Sequence, residues 1–377
     1  MTLPVPAFTP HAPDQASGIW VVGHDTAAGL EAWLTGLGLR DAVQLASHEG
    51  GCRVTLHPER HAEWMAGHDT TGLAGHLGAG QDSRTTGSDA LLREITVALA
   101  GGPLLYRFDS LSELQASTRI RRNIALAARK TALSFDTEAL ARPEEDWRYE
   151  EGRGFILLPG RELVPALRRV TQPRTSGTLY AFSCYRATEY VILLGMAQEL
   201  ATTNPLLLER LTAQWRRKAI QSAAFHDSFL QEVGSIDEPL PKHYYVPGDR
   251  VWFRNPDEAS ADAAGYEGSW VIYLGGGEFG DFWREGRAYT LRGKCIELYH
   301  WRHAVYQDAQ GEWRMDEAKV EALVAQTLAD PPRAAVIVEQ MMNYRAPRGV
   351  WNQGGCIDAS REFPLPVCPG TERVRLP

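Results

Sequence analysis

The chain has 377 residues, a length typical of two ordinary domains or of one large domain with additions. Its apolar fraction of 44% and charged fraction of 23% exclude disordered, collagen-like and coiled-coil proteins. A net charge of −8 argues against a protein drawn to nucleic acid by bulk charge. The five cysteines are widely spaced and form no CxxC pair, which predicts reduced thiols rather than a disulfide framework or a structural zinc site.

Neither end of the chain nor its apolar runs predict a membrane protein. The first 15 residues carry four prolines and no basic region, unlike a signal peptide. The most apolar run, residues 190–197, is far shorter than the ~20 residues that a membrane span requires. We therefore expect a soluble cytoplasmic protein that has no membrane partner.

The first third of the chain alternates short strand and helix signals. Residues 18–22 (GIWVV) predict a buried strand, and residues 27–39 have the apolar spacing of a helix. Residues 70–88 are rich in Gly, Thr, Ser and Asp, which predicts a loop. Helical character returns over 88–100, and the following Gly-Gly-Pro ends it. A domain boundary is placed there.

The strongest helix signal starts at Ser110, which forms a capping box with Glu113 and is followed by an apolar stripe to residue 133. Further helices are predicted over 184–200 and 205–222. The next segments predict mainly strands, at 250–253 and 269–275, and a last helix over 316–328. Helices first and short strands later favour an α+β fold.

Cys184 is the first candidate for chemistry. It lies where an apolar aromatic run meets the predicted start of a helix, and Arg186 follows two residues later. Unpaired N–H groups at a helix start stabilise a thiolate, which predicts a lowered pKa and a nucleophilic cysteine. The alternative is a thiol that only packs in the core.

A glycine pattern follows the predicted strand at 269–275. Gly275, Gly277 and Gly280 satisfy GxGxxG, but no helical stripe follows them. A dinucleotide site needs a helix opening on the third glycine. The pattern therefore favours a tight turn over a cofactor cradle.

Histidines cluster in two stretches, one of which is the pair His300 and His303, and basic residues cluster in one, in each case without a matching chemical motif. The other histidine stretch comprises His57, His61, His68 and His76. No His pair has a Cys or carboxylate at ligand spacing, so surface or core histidines are expected and no metal is predicted. The basic helix face comprises Arg119, Arg121, Arg122, Arg129 and Lys130. At this net charge it favours a solvated face paired with local acids over a nucleic-acid grip.

Three of these segments, taken in order, resemble the spore-coat type transglutaminase family of bacteria. The run SLSEL continuing to RIRRNI resembles that family's S-x-x-E-L helix, and LYAFSCYRATEYVILL resembles its Y-A-F-E-C-A-T-A motif. PGDRVWFRNP and the later YEGSWVIYLGGGEF are similar to its G-D-x-x-Y-F-K-N-P and W-R-G-E-N-x-I-x-L-G. The similarity covers roughly residues 104–345, about two thirds of the chain.

The resemblance implies an α+β core related to papain-like and NlpC/P60 cysteine enzymes, with an added N-terminal region. It divides the chain into an extension of unknown role (1–100), a transglutaminase-like core (101–345) and a C-terminal tail (346–377). It also implies that a cysteine attacks the carboxamide of a protein or peptide glutamine and that a thioester forms. The thioester then passes to an amine, giving an isopeptide, or to water, giving deamidation, with no cofactor.

The family motif carries over to this sequence residue by residue only in part. Cys184 matches the nucleophile without a gap, and Ser183 stands where the family has a glutamate. The family's acid–base glutamate aligns with Ser269, and its histidine aligns with Phe282.

Two nearby carboxylates are candidates to replace the family's acid–base glutamate and histidine, which this sequence lacks at the aligned positions. Glu267 lies two residues before Ser269, on the same face of a strand, and Asp281 adjoins Phe282. We therefore predict Cys184 with Glu267 or Asp281 as catalytic residues. Binding positions are predicted at Ser183, Arg186, Ser269, Phe282 and Trp283.

Two other functions stay open at this point. One is a catalytically silent transglutaminase-like scaffold that binds a partner protein, for which the eleven tryptophans offer aromatic surface. The other is a papain-like cysteine hydrolase, which requires a histidine such as His243 or His300 beside Cys184.

Overall fold

The computed structural model describes residues 17–23, 26–78, 88–135, 141–280, 282–283, 286–345 and 355–377. The predicted catalytic residue Asp281 lies outside the described residues. The described strands are β1 (Gly18–Val22), β2 (Val43–His48), β3 (Gly51–Leu56), β4 (Leu105–Phe108), β5 (Ser134–Phe135), β6 (Trp147–Glu150), β7 (Gly154–Leu157), β8 (Ala181–Phe182), β9 (Leu230–Val233), β10 (Arg250–Arg254), β11 (Gly268–Gly275), β12 (Glu278–Gly280), β13 (Ala288–Thr290), β14 (Val305–Gln307), β15 (Trp313–Met315) and β16 (Arg361–Pro364). The described helices are α1 (Thr26–Gly36), α2 (Pro58–Trp64), α3 (Leu73–His76), α4 (Ser88–Ala100), α5 (Leu111–Lys130), α6 (Leu163–Thr171), α7 (Pro173–Ser176), α8 (Cys184–Thr203), α9 (Pro205–Arg217), α10 (Ala223–Phe229), α11 (Glu258–Ala261), α12 (Leu291–Ala304), α13 (Glu317–Leu328) and α14 (Pro331–Met341).

Two sheets organise the described chain. The N-terminal sheet has the order β2-β3-β1-β4, in which β1 and β4 are parallel and the other neighbours antiparallel. The larger sheet has the order β13-β12-β11-β10-β16-β9 and is antiparallel throughout. Its strand β16 comes from the C-terminal segment, where the sequence shows little periodicity. Domain boundaries at 100 and 345 stay a prediction.

Helices cover these sheets and enclose three apolar clusters. The central cluster packs α5 and α8 against α6, α9 and Ile272 of β11. A second cluster packs against the N-terminal sheet, and a third cluster lies between strands β10, β11 and β12 and helices α12 and α14. This is the predicted α+β architecture. Among the described residues, no helix has the length and apolar character to cross a bilayer.

The capped helices confirm what the sequence predicts. Ser110 accepts a hydrogen bond from the Glu113 N–H at 3.1 Å, and Asp316 accepts one from the Lys319 N–H at 3.0 Å. The glycine run forms the predicted turn, which joins β11 to β12. Helix α9 ends at Arg217, earlier than the predicted residue 222, because the chain turns extended at Lys218.

The basic face of α5 is not the solvated face that its charges predict. Arg121 is buried, with Nη1 2.6 Å from Asp249, and Arg119 binds the buried Glu199 at 2.7 Å. Both acids come from distant segments of the chain. Burial of a guanidinium requires such a partner, so these arginines hold α5 against α8 and against the turn before β10.

Gly195 sets the close approach of α8 to α5. A Cβ at Gly195 lies 2.5 Å from Ile124 Cγ1 and 2.8 Å from the Ile124 backbone nitrogen. Neither contact relaxes without moving one helix, because one of the atoms belongs to the backbone. Gly195 is therefore required by packing.

We expect Gly195→Ala to lower the free energy of unfolding by about 1–3 kcal/mol, the usual cost of overpacking a tight core. Urea denaturation measures it. The matched control is Gly36→Ala, whose Cβ meets nothing within 4 Å at the end of α1. It is expected to be neutral or slightly stabilising. Equal destabilisation by both variants contradicts the packing argument.

Candidate active site

Cys184 is the first residue of α8, as its sequence setting predicts. The short strand β8 pairs with β5 and leads directly into the helix. Ser183 is the N-cap, and its Oγ accepts the Arg186 N–H at 3.3 Å. The thiol is therefore presented at the start of a long buried helix, partly exposed to a neighbouring cavity.

The cavity has a volume of about 1050 Å³ and is enclosed by parts of the chain far apart in sequence. Cys184 lies on its wall together with residues of β11, β13, α12 and α13. Aromatic side chains form much of the lining: Phe135, Tyr266, Trp270, Phe282, Trp283, Tyr289 and Trp301. A cavity of this volume is large enough for a drug-sized ligand or for several side chains.

Burial has the largest effect on the pKa of the Cys184 thiol. It raises the pKa of Cys184, and the charge of Glu267 raises it further. Hydrogen bonding from the Trp270 and Tyr185 backbone N–H groups and the charge of Lys294 lower that pKa but do not offset burial. The predicted low pKa at a helix start is therefore wrong, because desolvation of the thiolate outweighs its stabilisation.

A buried arginine holds the backbone groups that face the sulfur. The Arg250 guanidinium carbon lies 4.9 Å from the Tyr185 ring centroid and 4.8 Å from that of Trp270. The two rings contact each other edge to face at 5.2 Å. Glu362 of β16 forms an ion pair with Arg250. This cluster fixes β11 against the start of α8.

A lysine and a glutamate on α12 bring charge into the cavity. Lys294 Nζ lies 3.2 Å from both carboxylate oxygens of Glu297 and 4.5 Å from the Tyr289 ring centroid. Both charged residues line the same cavity as Cys184. The positive charge of Lys294 lowers the pKa of the Cys184 thiol.

The predicted binding positions divide into two groups. Ser269, Phe282 and Trp283 line the cavity, and Trp283 contacts Phe135 edge to face at 5.3 Å. Ser183 acts as the helix cap. Arg186 does not line the cavity; its guanidinium forms an ion pair with Glu189.

Glu267, the predicted acid–base partner, lies at the edge of the site. It precedes β11, its side chain is exposed, and its carbonyl accepts the Asn255 N–H at 3.0 Å. Its side chain does not reach the cavity wall, although its charge still raises the pKa of Cys184. Glu267 therefore stays outside the cavity lining, although its chain neighbours Tyr266 and Gly268 belong to it.

No histidine occurs among the described residues that line this cavity. His300 Nε2 lies 2.7 Å from Thr327 Oγ1 in the packing of α12 against α13, and burial lowers the pKa of His300 to about 4. His243 is exposed, with Nδ1 3.8 Å from Asp69. The cysteine–histidine pair that a papain-like hydrolase requires is thus not formed by either candidate.

Sequence reasoning missed α12 and with it Lys294 and Glu297. A signal was present, since Leu291, Cys295 and Leu298 follow the i, i+4, i+7 spacing of a buried helix face. Thr290 is also a good N-cap, and its Oγ1 accepts the Gly293 N–H at 3.1 Å. The strand-rich surroundings hid this helix.

The described chain thus combines an α+β core with a large cavity that has, on its wall, a cysteine at the start of a helix. The sequence profile of the family described as protein-glutamine gamma-glutamyltransferase matches residues 75–350, most of the chain. The chain therefore belongs to the protein-glutamine gamma-glutamyltransferase family.

Individual relatives are more distant. The protein-glutamine gamma-glutamyltransferase of Bacillus licheniformis is 27% identical over 168 residues, which are 44% of this chain and 62% of that protein. A transglutaminase structure from Geobacillus stearothermophilus, without its C-terminal extension, shares 16% identity with a TM-score of 0.38. That match covers 57% of this chain and 97% of the other.

The charges around the thiol predict opposite shifts for two substitutions. Lys294→Met removes a positive charge and is expected to raise the pKa of Cys184, so that alkylation at neutral pH slows several-fold. Glu267→Gln removes a negative charge and is expected to lower that pKa. The measurement is the pH midpoint of iodoacetamide labelling at Cys184, read by mass spectrometry.

Glu258→Gln is the matched control, because Glu258 is an exposed glutamate on α11 that does not line the cavity. Its labelling midpoint should equal that of the unmodified chain. Shifts of the same sign in the Lys294 and Glu267 variants contradict this electrostatic account.

Proposed function

We propose that the protein is a cysteine-dependent acyltransferase of the transglutaminase type. Its Cys184 attacks a glutamine-like carboxamide, ammonia leaves, and a thioester joins the sulfur to the acyl group. An amine then takes the acyl group to form an isopeptide, or water takes it in deamidation. The observation that carries the proposal is the thiol at the start of α8 on the wall of a large cavity, within a chain of this family.

The groups around the sulfur support a nucleophilic role. The thiolate is needed only when substrate is bound, and the Lys294 charge and the Trp270 and Tyr185 N–H groups favour it. The same N–H donors, fixed by Arg250, are suited to stabilise negative charge on the carboxamide oxygen as sulfur adds. A raised pKa in the free protein also protects the thiol from adventitious oxidation.

The acceptor amine must lose a proton, and the leaving amine must gain one. We propose Glu267 for this transfer, since its chain neighbours Tyr266 and Gly268 line the cavity and its charge already acts on Cys184. Asp281 stays the alternative carboxylate for the same role. Ser269, Phe282 and Trp283 form the binding surface beside the thiol.

Acidic side chains along α12 and α13 support an amine as the second substrate. Glu297, Glu317 and Glu321 line the cavity, together with aromatic rings that also attract cations. The Tyr266 hydroxyl donates to Glu317 at 2.8 Å, which fixes one of these carboxylates. A protein or peptide glutamine and an amine are therefore the proposed partners, with no metal or organic cofactor in the reaction.

We expect the chain to release ammonia from a glutamine peptide in the presence of a primary amine. Cys184→Ala is expected to reduce this release by at least about 10³-fold, the scale of losing a covalent nucleophile. A coupled ammonia assay measures the rate, and mass spectrometry identifies the isopeptide or the deamidated peptide.

Cys52→Ala is the matched control, since Cys52 is buried in the N-terminal sheet far from the cavity lining. It should keep the activity if it folds, which circular dichroism checks. A chain that releases no ammonia from any glutamine peptide, with or without amine, is the catalytically silent scaffold and overturns the proposal.

Glu267→Gln is expected to lower kcat for amine transfer by roughly 10²–10⁴-fold, the usual contribution of a general acid–base group. Hydroxylamine, which is largely unprotonated at neutral pH, should restore part of the rate because its nitrogen needs no base before it attacks the thioester. Asp281→Asn is measured in parallel, and Glu258→Gln is the control. A Glu267 variant with unchanged kcat contradicts this role for Glu267.

A further inference from the structure

Two histidines and one backbone carbonyl meet in a second cavity, of about 310 Å³, beside the N-terminal sheet. His61 Nε2 lies 3.3 Å from His68 Nδ1, and each of these nitrogens lies 3.0 Å from the Gly101 carbonyl oxygen. The polar side chains Ser17 and Thr55 also line this cavity. None of the described residues that line this cavity also lines the cavity of Cys184, so the arrangement is separate from the acyl-transfer site.

No protonation state of the two histidines gives favourable contacts among all three atoms, His61 Nε2, His68 Nδ1 and the Gly101 carbonyl oxygen. Each ring nitrogen carries at most one proton. If only one nitrogen is protonated, the other turns its lone pair toward the carbonyl lone pairs at 3.0 Å. If both are protonated, two N–H donors face one oxygen and each other at 3.3 Å. Every assignment leaves one unfavourable contact.

We propose that His61, His68 and the Gly101 carbonyl bind a divalent transition-metal ion of the zinc type. The three edges of 3.0–3.3 Å match the separation of about 3.3 Å between ligands that each lie about 2.0–2.1 Å from a tetrahedral zinc ion. Such an ion converts all three contacts into bonds. The cavity leaves space for water to complete the coordination.

The donor set decides the class of ion. Neutral imidazole nitrogens suit zinc, copper and nickel, whereas calcium and magnesium prefer sites made of oxygen. The sequence predicts no metal here, because its carboxylates and cysteines have no ligand spacing. A backbone carbonyl as the third donor leaves no sequence signature.

The backbone around the site is held in demanding conformations. His68 has φ +60°, which side chains rarely adopt, and follows Gly67 at φ +65°. A Cβ at Gly101 meets Leu56 Cδ1 and Met65 Sδ at 2.6 Å each, so a glycine is needed for the carbonyl to approach the rings. Strain of this kind occurs where a site positions its groups.

The site joins elements that are distant in sequence. His61 belongs to α2, His68 to the following 3-10 turn, and Gly101 to the segment after α4. Two residues beyond His68, Thr70 Oγ1 donates to the Tyr245 carbonyl at 2.7 Å and accepts the Tyr245 N–H at 2.8 Å. A bound ion therefore joins α2 and the turn after it to the segment that follows α4, and the Thr70 hydrogen bonds connect that turn to the segment that leads to β10.

The test is titration of the untagged full chain with Zn²⁺ against a chromogenic chelator, with thermal melting in parallel. Every protein carries Cys184→Ala, so that the cavity thiol does not compete. We expect one equivalent to bind and Tm to rise, and Ca²⁺ to do neither. His61→Gln and His68→Gln are each expected to weaken Zn²⁺ binding at least about tenfold and to lose the Tm rise.

Two control variants locate the ion. His48→Gln removes an exposed histidine of β2 and should bind Zn²⁺ as the parent does. His226→Gln removes the histidine of a competing cluster with Glu232 and Glu362, in which Glu362 already pairs with Arg250. The His226 variant should also bind normally.

Folding of each variant is checked by a cooperative melt without metal. Absence of Zn²⁺ binding by the parent overturns the proposal. So does unchanged binding after both the His61 and His68 substitutions, or a loss of binding seen only with His226→Gln.

Discussion

The buried ion pair of Arg250 with Glu362 is the interaction on which the site geometry depends. Arg250 is only 1% exposed, and a guanidinium at that depth is tolerated only with an anionic partner. Its faces contact Tyr185 and Trp270, whose backbone N–H groups lie at the Cys184 sulfur. The C-terminal strand β16 thereby supports a thiol that is 178 positions earlier in the chain, since it supplies Glu362.

Other buried charges connect the sheets and helices in the same way. Arg121 on α5 binds Asp249, which also accepts the Val246 N–H at 2.7 Å and so shapes the turn before β10. Glu94 on α4 accepts the Gly276 N–H at 2.8 Å, and burial raises the pKa of Glu94 to about 7. Each pair joins segments far apart in sequence. Their partners are therefore selected by the assembled fold and not by local spacing.

The chemistry of the thiol follows from this assembly. At the start of an isolated helix a cysteine would have a lowered pKa, whereas the packing of α8 against β11 removes water from Cys184 and raises that pKa. Lys294, on a helix more than 100 residues later, supplies the compensating charge. The pKa of the thiol therefore depends on the segments packed around it and not on the helix start alone.

Local chemistry determined what the sequence alone predicts correctly. The capping box of Ser110, the helix start at Cys184, the strand pattern of β10 and β11 and the glycine turn after them all depend on neighbours within a few residues. Family membership rests on the same short motifs. The prediction of Ser269, Phe282 and Trp283 as binding positions came from those motifs, and these three residues line the same cavity as Cys184.

Only the tertiary structure decided the charges and distances of the site. Helix α12 brings Lys294 and Glu297 to the cavity that Cys184 lines, Arg186 pairs with Glu189, and Glu267 stays outside the cavity lining. The His61, His68 and Gly101 triangle likewise forms from separate elements. Desolvation and long-range pairing depend on which surfaces meet, and periodicity within one segment carries no information about its distant partner.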